Sequence, residues 1–288
     1  MTEAKSPEEL QELVKQMRQW IDELPQTPKD LDDKLLKRFI HSCYYDMDKA
    51  KAAAELFFSI RNSSPELFSN RDPESPQMQK TLSIVNLARF QISGNRNLWI
   101  WQLNDPGLSK YDYIQDVKMF FLTTDAWLLD EEHLEDSDVV IMDVKDITLR
   151  FLTKYNMSVA RKLAKYQEDA LPIRLKQIHL VNAPSFIDKI YGLMKPFLKQ
   201  DITNMLHFHP PKSDTLFKFL DKEDLPEDYG GTLGKMEDHM KDVMELLNKK
   251  RESLICDDLW KVEKKTKDKS PKEQNSLVDT LFRTLTID

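Results

Sequence analysis

Between residues 87 and 181, short apolar runs alternate with longer stretches of helical periodicity, and this alternation restricts the fold more than any other feature. The apolar runs span 87–92, 98–103, 139–144 and 178–181, and the helical stretches span 113–129 and 157–166. Strands that alternate with helices form β-α-β units, in which crossover helices cover a largely parallel sheet. The turn sequence at 93–96 predicts a hairpin and one antiparallel edge. The sequence therefore predicts an α/β fold with a mixed, mainly parallel β-sheet.

Three amphipathic helices are predicted before this region, with apolar residues at helical spacing in 10–24, 31–40 and 50–60. A polar segment at 69–77, which contains Pro73 and Pro76, is typical of a linker. We expect residues 1–70 to form a helical N-terminal domain, residues 71–235 a second domain with the sheet, and residues 236–288 a C-terminal extension. Within the extension we expect a helix at 236–247, a mobile lysine-rich stretch at 261–272 and a tail from Ser276 that docks back.

Charge and cysteine content exclude several classes of protein. The net charge of -7 and the pI near 5.5 argue against a nucleic-acid binder, which needs excess basic residues. Cys43 and Cys256 have no neighbouring thiol at metal-binding or disulfide spacing, which favours a reducing compartment.

The first residues contain no apolar signal region, and no apolar run reaches the roughly 18 residues of a membrane span. A cytoplasmic location is expected.

Known catalytic signatures are absent from the sequence, which has no nucleophile-elbow, P-loop, dinucleotide-binding or zinc-protease motif. His207 and His209 have strand spacing that puts both on one face, but no third ligand lies near in sequence, so we interpret them as polar residues at a strand end. The acidic residues at 130–138 lack the spacing of a calcium loop, and we interpret them as a solvated loop. We therefore expect no enzyme activity, no catalytic residue, no bound metal and no cofactor.

Large apolar side chains form two patterns that fit either a core or a pocket. Trp99 and Trp101 are two residues apart on a predicted strand and so share a face. Phe120, Thr124 and Trp127 share one stripe of the following helix. The segment 182–205 is amphipathic and contains Pro196, which predicts a kink or break. Periodicity leaves open whether this segment is a crossover helix, a partner-docking helix or a lid that contacts membranes.

Several sequence blocks resemble one known family. The stretch YQEDALPIRLKQIHLVN at 166–182, the following Ala183-Pro184, the block KPFL at 195–198 and the block LPEDYGG at 225–231 closely resemble the CRAL-TRIO lipid-binding domain. The blocks LLKRFI at 35–40 and DMDKA at 46–50 resemble the three-helix domain that precedes it in this family. The resemblance covers about residues 10–233.

The resemblance implies a non-enzymatic intracellular carrier, whose mobile lid helix closes an apolar pocket over one hydrophobic lipid. Family members that carry α-tocopherol and retinaldehyde suggest a tocopherol-, retinoid- or carotenoid-like ligand. The implied pocket residues are Trp99, Trp101, Phe120, Phe121, Thr124, Trp127, Met142, Val144, Ile178 and Leu180. The implied lid residues are Phe186, Ile187, Ile190, Tyr191, Met194, Phe197, Leu198 and Ile202.

The resemblance also implies transient contact with membranes, as in a peripheral membrane protein. Arg174 and Lys176 match a basic lip that contacts phosphoinositides or anionic membranes in the family. Cys43, Asp201 and Met205 stand where family members carry further basic residues, so tight phosphoinositide recognition is not expected. We expect a monomer. An alternative stays open, in which the pocket senses a lipid and the protein acts as a regulatory interaction module for a protein partner.

Overall fold

The computed structural model describes residues 5–24, 27–28, 31–130 and 133–260. The expectations for the lysine-rich stretch at 261–272 and for the tail from Ser276 lie outside these residues.

Helices form the N-terminal part of the chain, as the periodicity predicts. Helix α1 spans Pro7–Glu23, α2 spans Asp33–Ser42 and α3 spans Met47–Ser63, followed by the short helices α4 (Pro65–Phe68) and α5 (Pro76–Leu82). A capping box starts α1, because the Ser6 hydroxyl accepts from the Glu9 backbone N–H while the Glu9 carboxylate accepts from the Ser6 N–H. Asp32 and Asp46 cap α2 and α3 with their carboxylates, which accept from the backbone N–H groups of Lys34 and Lys49.

The sheet has five strands in sequential order. Strand β1 spans Val85–Ile92, β2 Arg96–Leu103, β3 Ser137–Asp143, β4 Leu175–Val181 and β5 Leu206–Phe208. Only the β1–β2 pair is antiparallel, and the other three pairs are parallel. The predicted hairpin is confirmed, with Gly94 and Asn95 both at positive φ, 75° and 53°. The prediction of an α/β fold with a mixed, mainly parallel sheet is therefore confirmed.

Helical connections cross between the parallel strands. Helix α6 (Tyr113–Asp130) joins β2 to β3, and α7 (Phe151–Lys154) with α8 (Met157–Asp169) joins β3 to β4. The connection from β4 to β5 is α9 (Ile187–Met194), a 3-10 turn at Lys195–Phe197 and α10 (Gln200–Met205). The predicted break at Pro196 is confirmed by this turn. Helices α11 (Met236–Lys249), α12 (Arg251–Ile255) and α13 (Asp257–Trp260) follow.

Two separate apolar cores lie on the two faces of the sheet. On one face, Leu98, Ile100, Val139 and Ile141 pack against residues of the segment after β5, namely Leu216, Leu220, Leu225 and Met236. On the other face, a larger core combines the N-terminal helices with α6, α8, α9 and α11. Because strand side chains alternate, each strand contributes to both cores.

A buried ionic cluster joins the N-terminal helices to α6 and α8. Asp125 on α6 forms ion pairs with Arg61 of α3 and with Arg71, whose Nη1 is 2.7 Å from Asp125 Oδ2. Arg61 also donates to the Tyr166 hydroxyl of α8, and the arginine and aspartate side chains are at most 3% exposed. Arg71 belongs to the segment that we expected to be a linker, so this segment is anchored in the core. In the described part of the chain, no helix is long and apolar enough to cross a membrane.

Candidate functional site

One face of the sheet carries two apolar rows that remain half-buried. The strand register aligns Trp101, Met142, Leu180 and Phe208 in one row and Trp99, Val140, Ile178 and Leu206 in the next. All eight are of intermediate burial, whereas the alternating residues Ile100, Ile141 and His179 are at most 2% exposed. This face therefore retains accessible apolar surface, which is typical of a ligand site.

Helix α6 turns one stripe towards these rows. The Trp127 ring packs edge-on against the Trp99 ring, with centroids 5.0 Å apart. Phe120 and Trp127 are half-buried, and Thr124 on the same stripe is 3% exposed. Val144, just beyond β3, is buried in the core on this side.

The structure does not bring Phe121 to this stripe. Its ring stacks on Phe68 with centroids 4.3 Å apart and lies 4.8 Å from the Tyr166 ring, within the core of the N-terminal helices. One residue along a helix turns the side chain by about 100°. Phe121 therefore points away from the sheet, although its neighbour Phe120 points towards it.

Buried aspartates fix both tryptophans of β2. Asp138 Oδ1 accepts from Trp99 Nε1 at 2.8 Å, and Asp116 Oδ1 accepts from Trp101 Nε1 at 3.1 Å. Asp116 Oδ2 also accepts from the Tyr111 hydroxyl at 2.8 Å. Burial raises the pKa of Asp116 to about 6, although these two donors act in the opposite direction. Both indole rings are thus held in fixed positions.

The interpretation of the acidic run as a solvated loop is wrong for two of its members. Glu135 and Asp138 are each 4% exposed. Glu135 accepts from Asn97 Nδ2 at 2.6 Å and pairs with Arg89, and Asp138 also accepts from the Arg174 backbone N–H at 2.7 Å. Buried carboxylates need such partners. A run of acidic residues in a sequence does not indicate which of its carboxylates will be buried.

The β4–β5 connection covers the same side of the sheet, and we call residues 186–202 the lid segment. Ile187 and Ile190 are buried, and Phe186 and Met194 pack against the same core. The Tyr191 ring lies edge-on to Phe208, with centroids 5.5 Å apart. The inner stripe expected from periodicity therefore faces the sheet, while Leu193 is 41% exposed on the outside. Leu198 and Ile202, further along the lid segment, are half-buried.

Contacts with α8 hold the C-terminal half of the lid segment. The Arg161 guanidinium lies 4.7 Å from the centroid of the Phe197 ring. Lys199 forms an ion pair with Asp169, and its backbone N–H donates to Glu168 Oε1 at 2.9 Å. Burial raises the pKa of Glu168. These contacts form a polar clasp between the lid segment and the end of α8.

The two predicted lip residues lie in different environments. Arg174 is 9% exposed, its guanidinium lies 4.3 Å from the Tyr44 ring centroid, and its Nε donates to the His41 carbonyl at 2.8 Å. Lys176 is exposed, with its ammonium 5.3 Å from the same ring centroid. Of these two residues, Lys176 is the exposed one and Arg174 is buried.

His207 and His209 of the predicted strand end form a chain of contacts with His179, in which His179 and His209 are buried and His207 is half-buried. His207 stacks on His179, and His179 Nδ1 is 2.9 Å from His209 Nε2. His179 Nε2 is 3.3 Å from Gln177 Oε1, and His209 Nδ1 is 2.8 Å from Thr215 Oγ1. These rings lie on the sheet face opposite the half-buried rows. No group of three or more potential ligand residues in the described ranges is arranged to hold a metal ion.

Sequence reasoning missed part of the half-buried rows. Val140, Leu206 and Phe208 complete them, and the alternation of Leu206 and Phe208 with His207 and His209 is a signal that indicates a strand. Asp116 was also missed, although it lies four residues before Phe120 on the same helix stripe. The bond between Asp138 and Trp99 has no signal in the sequence, because it joins different strands.

Comparisons with known proteins agree with this architecture. The family profile described as the CRAL/TRIO domain matches residues 76–231, and the profile described as the Pinta-like, UBA domain matches residues 6–78. The human alpha-tocopherol transfer protein-like protein is 28% identical over 243 residues, which are 81% of this chain and 70% of that protein. Clavesin-2 of Rattus norvegicus is 25% identical over 205 residues, or 70% and 62% of the two chains. The crystal structure of Sfh5 has a similar fold, with a TM-score of 0.51 at 13% identity, covering 87% of this chain and 99% of that chain.

Proposed function

Because this chain belongs to the CRAL/TRIO domain family, we propose that it is a non-enzymatic carrier, which binds one hydrophobic lipid between its sheet and its lid segment and transfers the lipid between membranes. The observation that carries the proposal is the pair of half-buried apolar rows beneath the lid segment. An ordinary core buries the apolar residues of such a face more fully. On the opposite side of this sheet, the central apolar residues Leu98, Ile100, Val139 and Ile141 are at most 2% exposed. The proposed pocket comprises the residues expected from the sequence without Phe121, together with Val140, Leu206 and Phe208.

The energetics fit a carrier better than a site for rapid exchange with water. Burial of about 500 Å² of hydrocarbon at roughly 25 cal/mol/Å² contributes on the order of 12 kcal/mol before ordering costs. Release into water is then slow. A lid segment whose apolar stripe can leave the ligand and contact a bilayer lowers this barrier at a membrane.

Exposed apolar side chains on the outer surface support membrane docking. Leu193 of the lid segment and Met157 at the start of α8 are 41% and 46% exposed. Arg161 Nη2 lies 3.8 Å from Met157 Sδ, and the same guanidinium covers Phe197 of the lid segment. A cation beside exposed apolar groups suits an anionic membrane surface.

The lining suggests a flat or conjugated lipid with a single hydrocarbon body. Trp99, Trp101, Phe120 and Trp127 offer broad ring faces, and their positions are fixed by hydrogen bonds and ring contacts. A tocopherol-, retinoid- or carotenoid-like molecule fits these faces better than a phospholipid with two acyl chains. The proposal includes no obligatory phosphoinositide step, because Arg174 is largely covered by Tyr44.

A vesicle transfer assay tests the proposal. The protein should accelerate transfer of α-tocopherol from donor to acceptor vesicles that contain phosphatidylserine. Leu193→Asp should slow transfer several-fold without weakening equilibrium binding, because it places a charge where the lid segment meets the membrane. Ile255→Asp is the matched control, because Ile255 on α12 is 45% exposed and lies outside the lid segment.

One outcome would contradict transfer, and another would contradict membrane contact of the lid segment. Wild-type protein that binds the lipid but does not accelerate its transfer would favour the alternative of a lipid-sensing interaction module. Equal slowing by Leu193→Asp and Ile255→Asp would mean that the lid segment does not contact the membrane.

A further inference from the structure

Asp116 is a buried acid in the wall of the proposed pocket. It lies one helical turn before Phe120 on the α6 stripe that faces β2, and its bond to Trp101 Nε1 joins that stripe to the half-buried row. Its residue burial is intermediate, like that of Phe120, Trp101 and Met142. The carboxylate is therefore joined directly to the apolar lining through its hydrogen bond to Trp101.

The partners of Asp116 leave acceptor capacity unused. A carboxylate has about four acceptor positions, and among the described residues Asp116 accepts only from the Trp101 indole N–H and the Tyr111 hydroxyl. In the described part of the chain, no lysine or arginine forms an ion pair with it, and the nearby charged group that affects it is Asp112, a second acid. Buried charges without an opposite charge are rare and costly.

Other buried acids of this chain are more fully satisfied. Asp125 is held by Arg61 and Arg71, and Glu135 is held by Arg89 and Asn97. Asp138 accepts from Trp99 Nε1, Asn97 Nδ2 and the Arg174 backbone N–H. Asp116 differs from these three acids, since it has neither a cation nor a third donor within the ranges that the structure describes. A tryptophan anchor alone does not require an acid, because a neutral amide oxygen accepts the same bond.

We propose that the Asp116 carboxylate accepts a hydrogen bond from a hydroxyl group of the bound lipid, so that the pocket selects lipid alcohols and phenols over ethers, esters and aldehydes of the same shape. The inference rests on the proposed function and specifies its ligand class. The hydroxyl fills the vacant acceptor position, and the hydrocarbon body extends from there along Phe120 and the row of Trp101, Met142, Leu180 and Phe208.

The discrimination follows from the chemistry of the donor. A methyl ether lacks the hydrogen that the carboxylate accepts, and it brings an oxygen with its own lone pairs against a negative charge. Sites built to bond a hydroxyl strongly reject an analogue that lacks it, because the polar group of the site is then left unpaired. A hydrogen bond to a charged group changes affinity by about tenfold or more.

Matched ligand pairs and three variants test the inference. Equilibrium binding to the full chain is measured for α-tocopherol and its methyl ether, and for all-trans-retinol and its methyl ether. Wild-type protein should prefer the alcohols at least about tenfold. Asp116→Leu, close in size but without an acceptor, should bring the preference to within about twofold while keeping affinity for the ethers. Asp116→Asn, which keeps one acceptor oxygen without charge, should show an intermediate preference.

Tyr111→Phe is the control for indirect effects of anchoring. It removes one of the two donors of Asp116 but keeps the carboxylate, and Tyr111 itself is 3% exposed. The alcohol preference should persist or increase in this variant. If Tyr111→Phe and Asp116→Leu reduce the preference equally, packing around Trp101 sets it and the inference is wrong. If Asp116→Leu fails to fold, as judged by circular dichroism, Asp116→Asn decides the question: an alcohol preference equal to that of wild type would show that the inference is wrong.

The outcomes separate this inference from the proposed function. Wild-type protein that binds alcohols and ethers equally well is still a lipid carrier, but Asp116 is then only an anchor for Trp101. Wild-type protein that binds none of the four lipids contradicts the carrier itself, and the inference with it.

Discussion

The histidine chain makes the folded state sensitive to acid. One tautomer assignment satisfies every bond, with His179 Nε2–H donating to Gln177, His209 Nε2–H donating to His179, and the Thr215 hydroxyl donating to His209. Burial lowers the pKa of His179 to about 3 and also lowers that of His209. Because the unfolded state binds protons below pH 6.5 and the folded state does not, stability should fall as pH falls below 6.5.

Urea unfolding at pH 7.5 and pH 5.5 measures this effect. His179 alone should contribute about 1 kcal/mol to the loss of unfolding free energy between these two values. His179→Phe, which removes the titrating group, should reduce the loss by about that amount. Equal pH dependence of wild type and variant would show that His179 is not held neutral in the folded protein.

Individual polar residues were the hardest to place from the sequence. Strand spacing predicted that His207 and His209 share a face, and in the structure both rings lie against His179. The sequence did not indicate that His179 would join them, or that Glu135 and Asp138 would be buried with partners. Burial of a polar group depends on which residues tertiary packing brings near, and those residues are distant in sequence.

Among the helices and strands, hydrophobic periodicity correctly predicted which segments form an element and whether that element is a helix or a strand. The expected run at 98–103 corresponds to β2 at Arg96–Leu103, and the stretch at 113–129 corresponds to α6 at Tyr113–Asp130. Strand β4 begins at Leu175, before the expected 178. Lys176 and Gln177 are polar, so the apolar pattern did not indicate that they belong to a paired strand. Strand β5 has three residues, too few for a pattern to identify alone.

The polar clasp between the lid segment and α8 should control the rate of opening. Lys199→Ala removes the ion pair with Asp169, which lies at the surface and contributes about 0–1 kcal/mol. The variant should release bound lipid to vesicles up to about fivefold faster, since 1 kcal/mol corresponds to about that ratio. Stopped-flow transfer of a fluorescent lipid measures the rate.

Lys189→Ala is the matched control for this prediction, because Lys189 is exposed on α9 within the same lid segment. It should leave the release rate within about twofold of wild type. If Lys189→Ala and Lys199→Ala accelerate release equally, general loss of positive charge explains the effect and the clasp does not.

The sequence blocks that resemble the CRAL-TRIO domain predicted the architecture of the whole molecule, and the structure and the family profiles confirm it. The described part of the C-terminal extension matched no known motif, yet it is tied to the body of the protein. Arg251 forms a bidentate pair with Asp72 at 2.7 and 2.8 Å, and the Arg61 guanidinium lies 4.6 Å from the Trp260 ring centroid. Domain boundaries at 70 and 235 stay predictions, since one apolar core spans helices from all three regions.

Native mass spectrometry of the purified full chain shows whether the half-buried rows beneath the lid segment bind one lipid. After incubation with α-tocopherol or retinol, we expect a mass shift of one ligand per chain. We expect no shift for Met142→Trp, which fills the middle of the row. Met142 is half-buried, so this variant should still fold. An unchanged apo mass for wild type, or equal loading of Met142→Trp, would mean that these rows do not bind the lipid.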